Sequence, residues 1–124
     1  MPRVFLLLGA INGALAVLLG AFGAHGLRGH LPPGMMEVYH TANQYHFYHA
    51  LGLLAVGMAA FQMPESAALR WSGWLMLAGI VLFSGSLYAL SVSGVRWLGI
   101  ITPFGGTAFI IAWLLLAVAV WRIS

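Results

Sequence analysis

Residues 44–52 read QYHFYHALG and open the second long apolar run of the chain. They carry His46 and His49, three residues apart, at the mouth of a segment that otherwise suits lipid. What the two imidazoles do depends on what surrounds them, and composition answers that first. Of 124 residues, 62% are hydrophobic and 6% charged, against roughly a quarter charged in ordinary soluble domains. So few charges leave a soluble surface uncovered. An apolar helix of about 20 residues crosses the ~30 Å hydrocarbon layer, and four such segments fit, at residues 4–24, 39–61, 71–92 and 102–121. The expectation is an all-α integral membrane bundle of four transmembrane helices, a single domain over residues 1–124 with the bilayer as its solvent.

The joints around Pro32-Pro33-Gly34, Pro64-Glu65-Ser66 and Ser93-Gly94 are short and turn-like, so consecutive helices are expected to be antiparallel neighbours. The first run ends in GAFGAHG and resembles a signal peptide with a small-residue cleavage site; it is read here as a retained helix. Four crossings put Arg3, Arg70 and Arg122 on one side and Arg28 and Arg96 on the other. The positive-inside bias then favours cytoplasmic termini in the cell inner membrane. His25, Glu37 and the start of QYHFYHALG fall at the opposite end, with Arg96. Trp71, Trp74, Trp97 and Trp121, with Tyr39, Tyr45 and Tyr88, mostly fall near the predicted helix ends, where amphipathic rings favour headgroup depth.

Sixteen glycines need a reason. Between helices in lipid there is no hydrophobic drive, and small residues instead let backbones approach. Gly9, Gly13, Ala16, Gly20 and Ala24 are expected on one packing face of the first helix, Gly52, Ala55 and Ala59 on one of the second, and Ser72, Gly79, Ser86 and Ser93 along the third. The fourth shows no clear seam. These seams should meet one another or a second copy of the chain.

Along the second helix, steps of about 100° put Glu37, Thr41, Gln44 and Tyr48 on one meridian and Ala42, His46 and His49 on another. A lipid-facing polar stripe is costly, so at least one face should meet protein. Two readings of the histidines stand. In one they are interfacial, hydrogen-bonded to neighbouring helices; in the other, His46 and His49 join His25, with Arg96 and Glu37 nearby, around a metal or polar ligand. Imidazole suits zinc, copper or iron. Asn12, in the middle of the first helix, needs a partner, expected to be a carbonyl or a serine such as Ser84 or Ser86. Thr102-Pro103 reads as a capped helix start.

Absences narrow the function. Cysteine and lysine are missing, and neither Glu37 nor Glu65 lies at mid-membrane depth, where proton-coupled transport usually places a carboxylate. No nucleophile elbow or phosphate loop occurs, so no enzyme and no catalytic residue is expected. A net charge of +3 from separated arginines makes no nucleic-acid surface.

Four blocks, LGAINGALAVLLGAFGAHGLR from Leu8, TANQYHFYHALGLL from Thr41, GWLMLAGIVLFSGSLYAL from Gly73 and RWLGIITPFGGTAFIIAW from Arg96, resemble the YgdD-like small inner-membrane proteins, a domain-of-unknown-function family numbered 423. The resemblance covers nearly the whole chain in order and spacing. It implies a four-helix bacterial inner-membrane protein with relatives in eukaryotic membranes, and no established activity. As family-type positions it implies Asn12, Gly20, His25, Gly26, Tyr45, His46, His49, Ser84, Gly85, Ser86, Tyr88, Arg96, Pro103 and Gly106.

The first functional reading is therefore a small non-enzymatic membrane protein without a cofactor, self-associating or an accessory subunit of a larger membrane complex. The alternative is a binding module holding a metal, haem or quinone through the outer-end histidines, and a small transporter or channel stands third.

Overall fold

Helix α1, Pro2–His25, starts on a proline, whose missing amide is one of the first-turn orphans in any case. Helix α2, Met35–Ala60, follows Gly34 in the left-handed region at φ 79°. Helix α3, Ala67–Gly79, begins four residues earlier than its apolar run, because Ser66 caps it: the Leu69 amide donates to Ser66 Oγ at 3.1 Å. The same rod continues through a turn of π-helix at Ile80–Ser84, where Gly85 N–H donates to Ile80 O, and into helix α4, Gly85–Ser93. Gly94, at φ 74°, ends it. A 3₁₀ turn at Arg96–Ile100 leads to helix α5, Thr102–Trp121. The computed structural model describes residues 1–123, and no strand occurs among them.

Three segments are long and apolar enough to cross a membrane: Pro2–His25, Ala67–Ser93 and Arg96–Trp121. Helix α2, at 26 residues, has the length, about 39 Å. Its Glu37, His40, Asn43, Gln44, His46 and His49 lower its hydropathy and take it out of that class.

The packing shows where those polar groups go. Helix α2 buries ten residues, against five each in α1 and α5, so it is the central helix. It runs antiparallel to α1 over its whole length. Gly57 meets Leu6, Ala50 O lies against Gly9, His46 faces Asn12, Asn43 reaches Ala16 O, and Tyr39 reaches Leu19 O. The α3–α4 rod packs on α2 and on α5. An apolar core of Phe5, Leu53, Val56, Leu69, Met76 and Phe109 fills the half nearer the termini. The polar residues occupy the other half.

The seams differ in detail from the sequence reading. In α1 the buried face is Phe5, Gly9, Asn12, Ala16 and Gly23, while Gly13 has nothing within 4 Å of a built Cβ and Ala24 is exposed. A true 3.6-residue period rotates Gly13 out of the contact that Gly9 and Asn12 make. In α2, Gly52 is buried but Ala55 is exposed. Along the third rod Ser72, Gly79 and Ser86 do face α5, at Ala112 O, Phe109 and Thr102. Helix α5 carries a seam after all, Gly105, Ala108, Ala112 and Ala119. Gly105 lies so close to the π-helical turn that a Cβ there would collide with the Phe83 backbone nitrogen.

Candidate functional site in the polar half

The polar half is built on two faces of α2, each organised by one histidine. On the α1 side, Asn12 Nδ2 donates to Leu8 O at 2.8 Å, which turns Asn12 Oδ1 toward His46 Nε2 at 3.0 Å. An amide oxygen only accepts, so His46 carries its proton on Nε2. Its Nδ1 is then an acceptor, and the Tyr88 hydroxyl, 3.0 Å away, donates to it. Tyr88 in turn accepts from Asn43 Nδ2 at 3.1 Å, and that same amide also donates to Ala16 O at 2.7 Å. The relay Asn43, Tyr88, His46, Asn12 thus ties α1, α2 and α4 in one consistent donor-to-acceptor direction. His46 is 4% exposed and neutral in this tautomer. Gly20 makes the relay possible: a Cβ there would stand 2.8 Å from Asn43 Oδ1.

On the α5 side, His49 Nδ1 lies 2.7 Å from Tyr45 O, and a carbonyl accepts, so Nδ1 holds the proton. The lone pair of Nε2 receives the Trp113 indole N–H at 2.9 Å. The His49 ring stacks on Phe109 with centroids 3.5 Å apart. Both imidazoles therefore have both nitrogens engaged by protein, in opposite tautomers.

Beside His49 a groove of about 580 Å³ lies between α2 and α5. Its walls are Tyr45 and Tyr48 from α2, Phe83 from the π-helical turn, and Gly106, Phe109, Ile110 and Trp113 from α5, with His49 at the back. No charged residue lines it.

The residues singled out in the sequence scatter relative to this geometry. His25 is exposed at the end of α1, and Glu37 and Arg96 are exposed at the same end of the molecule. No group of three or more His, Cys, Asp or Glu that could hold a metal forms among the described residues. The three-histidine constellation is thus not assembled: His46 and His49 turn to different neighbours, and His25 lies apart from both. The histidines are also not in the opening turns. Helix α2 begins at Met35, which puts His46 three turns inside, satisfied by protein instead of water. Asn12 donates to a carbonyl, Leu8 O of its own helix, and its partner on the neighbouring helix is His46 and no serine. Ser84 Oγ is buried without a partner among the described residues, while Ser86 Oγ pairs with Thr102 Oγ1 at 2.7 Å and donates to Phe83 O. Thr102 is consequently a tie between helices and makes no cap; Ile101 precedes the helix and Pro103 sits exposed in its first turn.

Sequence reasoning missed Asn43 and Trp113. Asn43 is half-buried on the side of α2 that faces α1, and its spacing of three from His46 was a usable signal. Trp113 lies in the interior of α5, outside the aromatic belts, and an indole at that depth needs an acceptor for its N–H.

The family described as "Protein of unknown function (DUF423)" matches residues 19–106. Across 117 residues the chain is 57% identical to the UPF0382 membrane protein YwdK of Bacillus subtilis, covering 94% of this chain and 95% of that protein. It is 48% identical over 122 residues to the UPF0382 membrane protein SERP0230 of Staphylococcus epidermidis, covering 98% of each. The UPF0382 membrane protein SAB0533 of Staphylococcus aureus is 43% identical over 122 residues, again with 98% of each covered. No solved structure matches the chain.

Proposed function

The chain belongs to the DUF423 family of membrane proteins of unknown function, and on that premise we propose that it is a non-enzymatic, four-crossing protein of the cell inner membrane, with both termini cytoplasmic, that works by association within the bilayer. The single observation that carries this reading is the saturation of His46 and His49. Each imidazole has both nitrogens hydrogen-bonded to protein, so neither offers a lone pair to a metal or a proton to a substrate. Polar groups in hydrocarbon that are fully paired act as fasteners between helices.

The full-length antiparallel contact of α2 with α1 supports the fourth crossing. Partners at every level from Tyr39 to Gly57 keep α2 at the depth of a helix that itself qualifies as a span. Association is supported by the outward face of α1, where Ala10, Ala14 and Ala21 are exposed and Gly13 is open. Small residues on a lipid-facing helix permit close approach of another helix, from a second copy or a larger membrane complex.

Elemental analysis and an optical spectrum of the protein in mild detergent, with native mass spectrometry from lipid nanodiscs, test the proposal. The expected result is no stoichiometric metal or haem band and a population of dimers or of complexes with another membrane subunit. A metal or haem band lost in both His46→Ala and His49→Ala, or a chain that is strictly monomeric in native lipid, overturns it.

A further inference from the structure

The aromatic groove between α2 and α5 takes His49 and Trp113 of the fastening network as part of its lining, and its chemistry is specific. We infer that it binds a neutral, flat, carbonyl-bearing ring carried on an apolar tail, the chemistry of a membrane quinone. Four features combine. The walls present the rings of Tyr45, Tyr48, Phe83 and Trp113, with Phe109 nearly wholly buried behind them against the His49 ring, and aromatic faces favour offset or edge contacts with another planar π-system. No Asp, Glu, Lys or Arg lines the groove, so an ionic head would be stranded there. Tyr45 and Tyr48 are 39% and 52% exposed, and their hydroxyls make no hydrogen bond among the described residues, so both are free to donate to an acceptor on a ligand. A volume of about 580 Å³ falls inside the roughly 300–1,000 Å³ range of small-molecule sites.

The wall is held in shape by the fold. Phe83 belongs to the π-helical turn, a local geometry frequent at functional sites, and the Trp113 indole is fixed by its bond to His49. Gly106 leaves the floor open. A Cβ there would meet only the Phe83 ring, at 3.7 Å, an ordinary contact. Substitution at Gly106 therefore fills the groove without forcing the backbones apart, unlike substitution at Gly105.

The test uses the whole chain in lipid nanodiscs and a benzoquinone with a ten-carbon tail as the probe. Binding is read by native mass spectrometry and by the saturable part of tryptophan quenching. The wild-type protein is expected to bind one equivalent. Tyr48→Phe, which removes a hydroxyl without a protein partner, should weaken binding roughly three- to ten-fold, the loss of about one hydrogen bond. Gly106→Leu should abolish binding while circular dichroism and elution volume stay unchanged. Absence of saturable binding, or equal binding by folded Gly106→Leu, refutes the site. Equal displacement by a ringless alkyl alcohol of the same tail length refutes the ring and leaves a lipid-tail groove only. The inference rests on lipid as the surroundings but not on association, so loss of quinone binding leaves the dimer and metal measurements untouched.

Discussion

Two histidines in one helix do different jobs because their neighbours differ. His46 is set by an amide oxygen and a phenol, His49 by a carbonyl and an indole. Nitrogen-15 spectra of the labelled imidazoles should report an Nε2–H tautomer for His46 and an Nδ1–H tautomer for His49; the reverse assignment would break the relay as described. His46→Ala leaves Asn12 Oδ1 and the Tyr88 hydroxyl facing each other across an empty space. It should lower stability by about 1–3 kcal/mol, measured as the denaturation midpoint in detergent. The coupling of Asn12→Ala with His46→Ala should be about 0.6 kcal/mol and no higher than about 1.7, the average and the maximum for side-chain hydrogen bonds in membranes. The sequence carried part of this. The meridian holding Ala42, His46 and His49 was legible from the 3.6-residue period, and it is the buried one. The partners were not, because Asn12, Asn43 and Tyr88 come together from three helices at separations that no local period encodes.

At the level of the helices, small residues decide how close two rods come, and position decides which small residues matter. Gly105 rests on the backbone of the π-helical turn, whereas Gly13 looks outward with no neighbour. Gly105→Ala should cost about 1–3 kcal/mol through overpacking. Gly13→Ala should leave stability unchanged or raise it by under about 1 kcal/mol, since alanine favours helix. Thermal unfolding of the two variants in the same detergent separates them, and equal effects would contradict the seam described for α5. The seam went unread because a uniformly apolar helix hides its contact face, although the helical spacing of Gly105, Ala108, Ala112 and Ala119 was legible. The π-helical turn was not, since nothing in Ile80–Ser84 departs from an ordinary apolar run. Gly105 of α5 lies directly against its backbone. Nor was the start of α3 at Ala67, set by the Ser66 cap, because apolarity alone marks where lipid begins and not where a helix does.

For the whole molecule, the arrangement resolves what looked contradictory in QYHFYHALG. The least apolar helix is the central one, wrapped by α1 on one side and by the α3–α4 rod on another, so Asn43, His46 and His49 meet protein where lipid would reject them, while Glu37, His40 and Gln44 stay exposed toward its N-terminal end. Composition and four long runs made the helical class and short joints readable; the centrality of α2 was not, because hydropathy ranks a segment by its own residues and not by its neighbours. On this account a helix too polar to cross alone crosses in company. Topology measured on single cysteines is the most direct test, and the native chain has none to remove. His30→Cys and Glu65→Cys, in the loops before and after α2, are exposed to an impermeant maleimide in intact cells and in inverted vesicles. The account predicts that Cys at position 30 reacts only in intact cells and Cys at position 65 only in inverted vesicles. Labelling of both from the same side would mean that α2 does not cross, and would contradict the account.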